Sequence, residues 1–267
     1  MRMNRIDVDG RSIAYCRVGT GPAVVLVHGF VGDGRSTWSR QLDALSNEFT
    51  VVAWDAPGAG GSPPPPEWFR LPDYADCLAG FVRELGFDRP HLVGLSFGGA
   101  LVLELFRRHR TIPRSMVLAG AYAGWAGSLP PDEVAQRLAT CLRLADASPS
   151  EFVEAMLPSM FSASATPDAV AGFVASVRAF DADGFRAMAR SSAEADLSDV
   201  LADVDVPTLL LSGERDVRAP RSVAAGLHAG IEGSRLVVLP GVGHVSCVEA
   251  PELFNREVRT FLRSIAD

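Results

Sequence analysis

A serine between two glycines has the most specific chemical setting in this sequence. Residues 94–98 read Gly-Leu-Ser-Phe-Gly, which fits the pattern G-x-S-x-G with Ser96 at its centre. An apolar run of strand length precedes Ser96, and a run of helix length follows it. In such a sharp strand-to-helix turn the serine hydroxyl is exposed above the sheet, and only small residues fit beside it. The pattern predicts a nucleophilic serine. The alternative is a flexible glycine turn with an incidental serine.

A serine hydroxyl is a weak nucleophile, so this chemistry needs a histidine that acts as general base. His91 opens the strand run before Ser96, His109 ends a helix among arginines, and His228 lies within a helix. His244 instead stands in a glycine-rich loop after the last strand run, where it can fold over the carboxyl edge of a sheet. We therefore expect His244 to be the base.

The base in turn needs a carboxylate that orients its ring. The loop after the penultimate strand run offers Asp216 and, nearer to the strand and beside Arg215, Glu214. We expect Asp216 to be the orienting acid because it lies farther past the strand end, with Glu214 as the alternative.

The elements that position these residues are visible as six short, nearly unbroken apolar runs, which are typical of strands buried on both faces of a parallel sheet. The runs are residues 23–27, 51–54, 91–95, 116–119, 208–211 and 236–239. Helix-length amphipathic stretches lie between several of them, for example residues 73–85, 99–108 and 221–229. This alternation predicts an α/β fold with helices on both faces of a mostly parallel sheet. Residues 5–8 and 12–17, on either side of Asp9-Gly10, predict an antiparallel hairpin at the sheet edge.

A long segment without a strand run, residues 122–205, separates the fourth of these runs from the fifth. It contains helix-start signals at residues 130–132, 149–150, 166–168 and 181–184. We expect a helical cap inserted into an α/β core that comprises residues 1–121 and 206–267. An independent helical domain is the alternative.

The predicted cap is rich in aromatic and methionine side chains, which suggests an apolar pocket above Ser96. Most of these side chains are expected only to pack the cap helices together. Trp125 is the candidate pocket residue because it lies just past the carboxyl end of a strand run, where the cap begins.

Several motifs in a consistent order make the chain similar to the α/β-hydrolase family over its full length. They are the strand that ends in His28-Gly29, residues 55–62, the turn at Ser96, the loop 213–216 and the loop around His244. The chain order serine, aspartate, histidine is that of the family's catalytic triad. Residues 243–254 resemble 3-oxoadipate enol-lactonases and related carboxylesterases.

The resemblance implies a serine hydrolase without cofactor or metal, with Ser96 as nucleophile, His244 as base and Asp216 as orienting acid. It also implies an oxyanion hole formed by the backbone N–H groups of Phe30 and Phe97. An oxyanion in a water-poor site requires such preset donors, and the loss of one typically costs about 10²–10³ in rate.

Other positions refine the resemblance. It gives His28 and Asp55 structural roles in shaping the loops. Val242 and Val245 stand where C–C bond hydrolases of this fold carry aromatic side chains around the histidine. Serine at the nucleophile position argues against epoxide hydrolases and haloalkane dehalogenases, which use a carboxylate.

Composition excludes further classes of function. The net charge of −7 on 267 residues argues against nucleic acid or an anionic membrane as the main partner. All basic residues are arginine, which excludes chemistry that needs lysine, such as a Schiff base or a Walker A phosphate clamp. The four cysteines are scattered, and neither a signal peptide nor a membrane-spanning run is evident. We therefore expect a cytoplasmic monomer or homodimer that acts on a small molecule.

The sequence thus predicts hydrolysis of a small carboxylic ester or lactone through an acyl-enzyme. Hydrolysis of a C–C bond in a β-diketone-like or ring-fission substrate by the same triad is one alternative. A ligand sensor of the same fold with little turnover is another. Acyl transfer and perhydrolysis also stay open, because the sequence does not reveal which acceptor attacks the acyl-enzyme.

Overall fold

The computed structural model describes residues 2–265 and contains one eight-stranded sheet. Its strands are β1 Met3–Val8, β2 Arg11–Val18, β3 Ala23–Val27, β4 Thr50–Trp54, β5 His91–Leu95, β6 Ser115–Ala119, β7 Thr208–Gly213 and β8 Arg235–Leu239. Their spatial order is β1-β2-β4-β3-β5-β6-β7-β8. Strands β3 to β8 are parallel, and the hairpin β1–β2 pairs antiparallel with β4. The predicted mostly parallel sheet with an antiparallel N-terminal hairpin is confirmed.

Burial differs between the centre of the sheet and its edge. Every residue of β4, β5 and β6 is buried, as expected for strands that are covered on both faces. In β8, Arg235 is exposed and the next three residues are only half-buried. The expectation that all six runs are buried on both faces is therefore wrong for β8, because this strand forms an edge of the sheet beside β7.

Helices surround the sheet. They are α1 Gly34–Leu45, α2 Leu71–Glu84, α3 Phe97–Arg108, α4 Pro131–Ala145, α5 Pro149–Met156, α6 Pro167–Arg178, α7 Ala182–Glu194, α8 Arg221–Gly230, α9 Ser246–Glu249 and α10 Pro251–Ser264. Short 3₁₀ helices lie at Leu157–Ser159 and Ser198–Asp203. Asp33, Ser148, Thr166 and Asp181 cap α1, α5, α6 and α7, each with a side-chain oxygen that accepts a backbone N–H of the first turn.

The segment between β6 and β7, residues 120–207, is called the insert below. It contains α4 to α7, which begin at the four predicted helix starts. Its helices pack around aromatic side chains: the Phe152 and Phe180 rings stack with centroids 3.8 Å apart, and Phe185 meets Phe152 edge to face. Helix α6 also contacts α1 and α9, while α7 contacts α2 and α3. The insert therefore packs against the rest of the chain.

Within the described residues, no helix has both the length and the apolar character that crossing a membrane requires.

Candidate active site

The backbone at Ser96 adopts a strained conformation between β5 and α3. Its φ of +54° and ψ of −115° are sterically unfavourable for any residue other than glycine. The flanking glycines make the turn possible. A Cβ on Gly94 would lie 2.4 Å from the carbonyl oxygen of Gly98, and one on Gly98 would lie 2.2 Å from that of Val27. The Ser96 N–H donates to the carbonyl oxygen of Ala119 at 2.8 Å, which fixes the turn to the end of β6.

His244 and Asp216 form a buried pair. His244 Nδ1 lies 2.8 Å from Asp216 Oδ2. The other carboxylate oxygen, Oδ1, accepts the N–H groups of Arg218 at 2.9 Å and Ala219 at 2.8 Å. Because a carboxylate only accepts hydrogen bonds, Nδ1 of His244 is the donor, and in the neutral ring the lone pair therefore lies on Nε2.

This pair lies next to the Ser96 turn. Gly120 directly follows Ala119, and a Cβ on Gly120 would lie 3.1 Å from His244 Cε1 and 3.3 Å from Asp216 Oδ2. Ser96 and His244 are only 6% and 4% exposed. The hydrogen bonds of residues 2–265 include none between the Ser96 hydroxyl and His244. Catalytic hydrogen bonds often form fully only when substrate is bound, so the arrangement is compatible with a serine–histidine dyad.

Glu214, the alternative acid, has a different partner. It is exposed, and its Oε2 accepts the N–H of Gly241 at 2.7 Å. The contacts therefore favour Asp216 as the residue that orients His244.

The two predicted oxyanion donors flank Ser96. Phe97 is the first residue of α3, where N–H groups have no partner within the helix. Phe30 follows Gly29, and a Cβ on Gly29 would lie 3.7 Å from Ser96 Cβ. Neither the Phe30 nor the Phe97 N–H donates to another of the described residues. Both N–H groups thus have no hydrogen-bond partner among the described residues near the Ser96 turn.

His28 holds the loop that carries Phe30. Its Nδ1 donates to the carbonyl oxygen of Gly29 at 2.6 Å, and its Nε2 accepts the N–H of Ala56 at 3.0 Å. Burial lowers the pKa of His28, which keeps the ring neutral. Asp55, next to Ala56, accepts one backbone N–H with each carboxylate oxygen. Both side chains therefore fasten backbone rather than face a ligand.

Aromatic side chains of the insert meet the core around Phe30. The predicted pocket residue Trp125 is buried and lies edge to face with Phe30, with centroids 6.1 Å apart. The Phe185 ring stacks on Phe30 at 5.3 Å, and the guanidinium of Arg218 lies 5.3 Å from the Phe30 centroid. Arg218 was not among the site residues predicted from the sequence, where nothing distinguishes it from the other arginines.

A carboxylate joins the insert to the histidine loop. Glu249 Oε2 accepts the N–H groups of Ser162 at 3.1 Å and Gly243 at 3.0 Å, and Oε1 accepts the Ser162 hydroxyl. The N–H of Val245 donates to the carbonyl oxygen of Met160 at 3.0 Å. The insert therefore contacts both residues that flank His244.

The described part of the chain contains no group of three or more His, Cys, Asp or Glu side chains that could bind a metal ion. The four cysteines are free and buried.

Comparison with known proteins identifies the family of this chain. The profile of the alpha/beta hydrolase family matches residues 24–257. The chain belongs to the α/β-hydrolase family. This hydrolase is 28% identical to the pyrrolizixenacetamide deacetylase of Xenorhabdus hominickii over 278 residues, which covers 98% of each protein.

Solved structures of other hydrolases share its fold. A thermophilic esterase from Thermogutta terrifontis matches this hydrolase with a TM-score of 0.90 and 28% identity, over 100% of both chains. The enol-lactonase from Burkholderia xenovorans matches with a TM-score of 0.87 and 25% identity, over 98% of this chain and 100% of that one. The predicted family and the predicted class, a hydrolase that acts on ester bonds, are confirmed.

Proposed function

We propose that this hydrolase cleaves a small carboxylic ester or lactone through an acyl-enzyme on Ser96. The observation that carries the proposal is the buried His244–Asp216 pair, with 2.8 Å between Nδ1 and Oδ2, beside the strained turn of Ser96. His244 Nε2 takes the proton of the Ser96 hydroxyl while Ser96 Oγ attacks the carbonyl carbon. Asp216 holds the ring in the required tautomer and stabilises the imidazolium that forms.

The negative charge that develops on the carbonyl oxygen is stabilised by the free N–H groups of Phe30 and Phe97. When the intermediate collapses, His244 gives its proton to the leaving alcohol, which remains part of the acyl chain if the substrate is a lactone. Water then attacks the acyl-enzyme with the same base, and Ser96 is released as a hydroxyl.

In this proposal, residues 122–205 of the insert form a cap over a core that comprises residues 1–121 and 206–267. The low exposure of Ser96 and His244, together with the contacts of the insert with the His244 loop, supports this role. Trp125 forms part of the pocket wall together with Phe30, as their ring contact supports. The relatives named as deacetylase, esterase and enol-lactonase support a reaction in which an acyl group of a small molecule is transferred to water.

C–C bond hydrolysis and ligand sensing stay alternative hypotheses, and the cytoplasmic location and the oligomeric state stay predictions.

Hydrolysis of simple esters distinguishes the proposed function from these alternatives. Hydrolysis of p-nitrophenyl esters with acyl chains from about two to twelve carbons is measured for the wild type and Ser96→Ala. We expect turnover in the wild type and a loss of at least about 10³-fold in the variant. Equal turnover in both proteins would refute Ser96 as nucleophile.

The Trp125 assignment has its own test in the same panel. Trp125→Ala removes a large ring from the pocket wall, so we expect the optimum to move to longer acyl chains. The Ser96 chemistry itself is retained. An unchanged chain-length profile would show that Trp125 only packs the insert.

A further inference from the structure

Arg218 is a cation for which the structure provides no anion. Nη1 of Arg218 donates to the neutral hydroxyl of Ser159 at 2.8 Å, and no carboxylate among the described residues forms an ion pair with its guanidinium. The neighbouring Arg137 differs, because its Nη2 lies 2.6 Å from Glu133 Oε1. Burial is the main influence that lowers the pKa of Arg218, yet guanidinium groups stay charged in proteins.

The carboxylate on the same loop is already engaged. Asp216 uses Oδ2 for His244, and its Oδ1 accepts the backbone N–H groups of Arg218 and Ala219. Its negative charge favours the charged form of Arg218 only weakly, as the last of several influences. Asp216 therefore serves the histidine and leaves the guanidinium without a counter-ion.

The guanidinium is held at the boundary between the insert and the core. It lies 5.3 Å from the centroid of Phe30, whose ring also contacts Trp125. The carbonyl oxygen of Arg218 accepts hydrogen bonds from Arg137 Nη1 at 3.0 Å and from the Tyr122 hydroxyl. The backbone of Arg218 is thus held at its N–H and its carbonyl, and its side chain is held by Ser159, so little conformational entropy is left to lose when an anion binds.

We propose that Arg218 binds a carboxylate group of the substrate, at the end remote from the scissile carbonyl. This inference rests on the proposed function, and it narrows the substrate class to esters or lactones that carry a negative charge. A guanidinium has five N–H donors in a planar fork that matches the two oxygens of a carboxylate, and Arg218 spends only one donor on Ser159. A partly desolvated cation without a counter-ion gains more from such a pair than a solvated one.

Matched substrates test the proposal directly. The p-nitrophenyl monoesters of glutaric and adipic acid are compared with the same compounds whose distal carboxyl is a primary amide. For the wild type we expect kcat/KM to be at least about tenfold higher for the anion than for the amide. Arg218→Met is expected to lower kcat/KM for the anion by about 10- to 100-fold and that for the amide by less than about threefold. Arg218→Lys keeps the positive charge but lacks the planar fork of donors. Its kcat/KM for the anion should therefore lie between those of the wild type and Arg218→Met.

Arg215→Met is the matched control, because Arg215 is exposed on the same loop and its variant should treat both substrates like the wild type. Equal losses on anion and amide in Arg218→Met would assign Arg218 a purely structural role and overturn the proposal. Equal wild-type kcat/KM values for the anionic ester and its amide would also overturn the proposal. In that case, loss of hydrolysis of both substrates in Ser96→Ala would still support the proposed function.

If the wild type hydrolyses no ester, the proposed function fails. The binding of carboxylates to Arg218 is then tested on its own by measuring their affinity. Calorimetry with glutarate and adipate is expected to show binding that Arg218→Met weakens by at least about tenfold. Identical behaviour of wild type and variant in that titration would overturn the anion site.

Discussion

Two buried histidine–aspartate sets lie near the strand ends of this hydrolase, and they differ in the partners of the histidine ring nitrogens. His28 engages both ring nitrogens with backbone groups, and Asp55 engages both oxygens in the same way. His244 engages only Nδ1, with Asp216, while its Nε2 has no hydrogen-bond partner within residues 2–265.

In the proposed mechanism, this difference separates a structural histidine from a reactive one. A ring whose two nitrogens are occupied has no lone pair to offer, and its value lies in holding the loop that carries Phe30. A ring oriented by a carboxylate on one side, with no hydrogen-bond partner on its other nitrogen among the described residues, has a lone pair that can accept a proton. The same two residue types therefore fasten backbone at one position and, as we propose, support proton transfer at the other.

The largest expected effect comes from removing each histidine in turn. His244→Ala should lower kcat/KM for p-nitrophenyl butyrate by about 10⁴-fold or more, because the base is lost. The melting temperature should change little. His28→Ala should instead lower the melting temperature by several degrees, since it leaves two buried backbone groups unpaired at about 1–3 kcal/mol each. Reversed outcomes, with activity dependent on His28 and stability on His244, would invert the comparison.

The two aspartates provide the next test. Asp216→Asn keeps the size of the side chain but removes the charge that fixes the tautomer of His244, so we expect kcat to fall by about 10²- to 10⁴-fold. Asp55→Asn replaces one accepting oxygen by an NH₂ group facing a backbone N–H, so we expect lower stability. Steady-state kinetics and thermal melts on both variants separate the two roles. An Asp216→Asn enzyme with normal kcat would point to Glu214 instead.

The smallest expected effect is a pH dependence of stability. Burial lowers the pKa of His28 below its ordinary value of 6.5, so the unfolded chain binds this proton more readily than the folded protein. The stability contributed by a neutral His28 is therefore full above about pH 6.5 and is lost progressively as the pH falls below it. Burial raises the pKa of Asp55, which acts in the opposite direction, so the comparison uses a variant.

Urea unfolding of the wild type and His28→Gln between pH 7.5 and pH 5 isolates this contribution. We expect the wild type to lose more of its free energy of unfolding than His28→Gln over this range. Parallel losses in the two proteins would mean that His28 titrates as it does in the unfolded chain.

Much of this arrangement could be predicted from the sequence because it depends on local rules. The runs 23–27 and 91–95 became β3 and β5 without any change of bounds, since continuous apolar runs between turn signals leave little choice. The four helix starts of the insert followed from proline and capping residues. The exposure of β8 could not be predicted, because it depends on the order of strands in the sheet.

Long-range pairing also limited what the sequence could reveal about the site. The choice between Glu214 and Asp216 depends on which of them contacts the histidine. Only the folded chain shows that Glu214 instead accepts a hydrogen bond from the N–H of Gly241. Arg218 was missed for the same reason. Its lack of a counter-ion is a property of the tertiary structure, and one arginine among many in the sequence gives no sign of it.

The most direct test of the central claim is covalent labelling of Ser96. The wild type, Ser96→Ala and His244→Ala are treated with diethyl p-nitrophenyl phosphate, and the modified peptide is located by mass spectrometry. We expect one diethylphosphoryl group on Ser96 in the wild type, none on the corresponding peptide of Ser96→Ala, and much slower labelling in His244→Ala. Labelling at another residue, or an unchanged rate without His244, would contradict an activated Ser96.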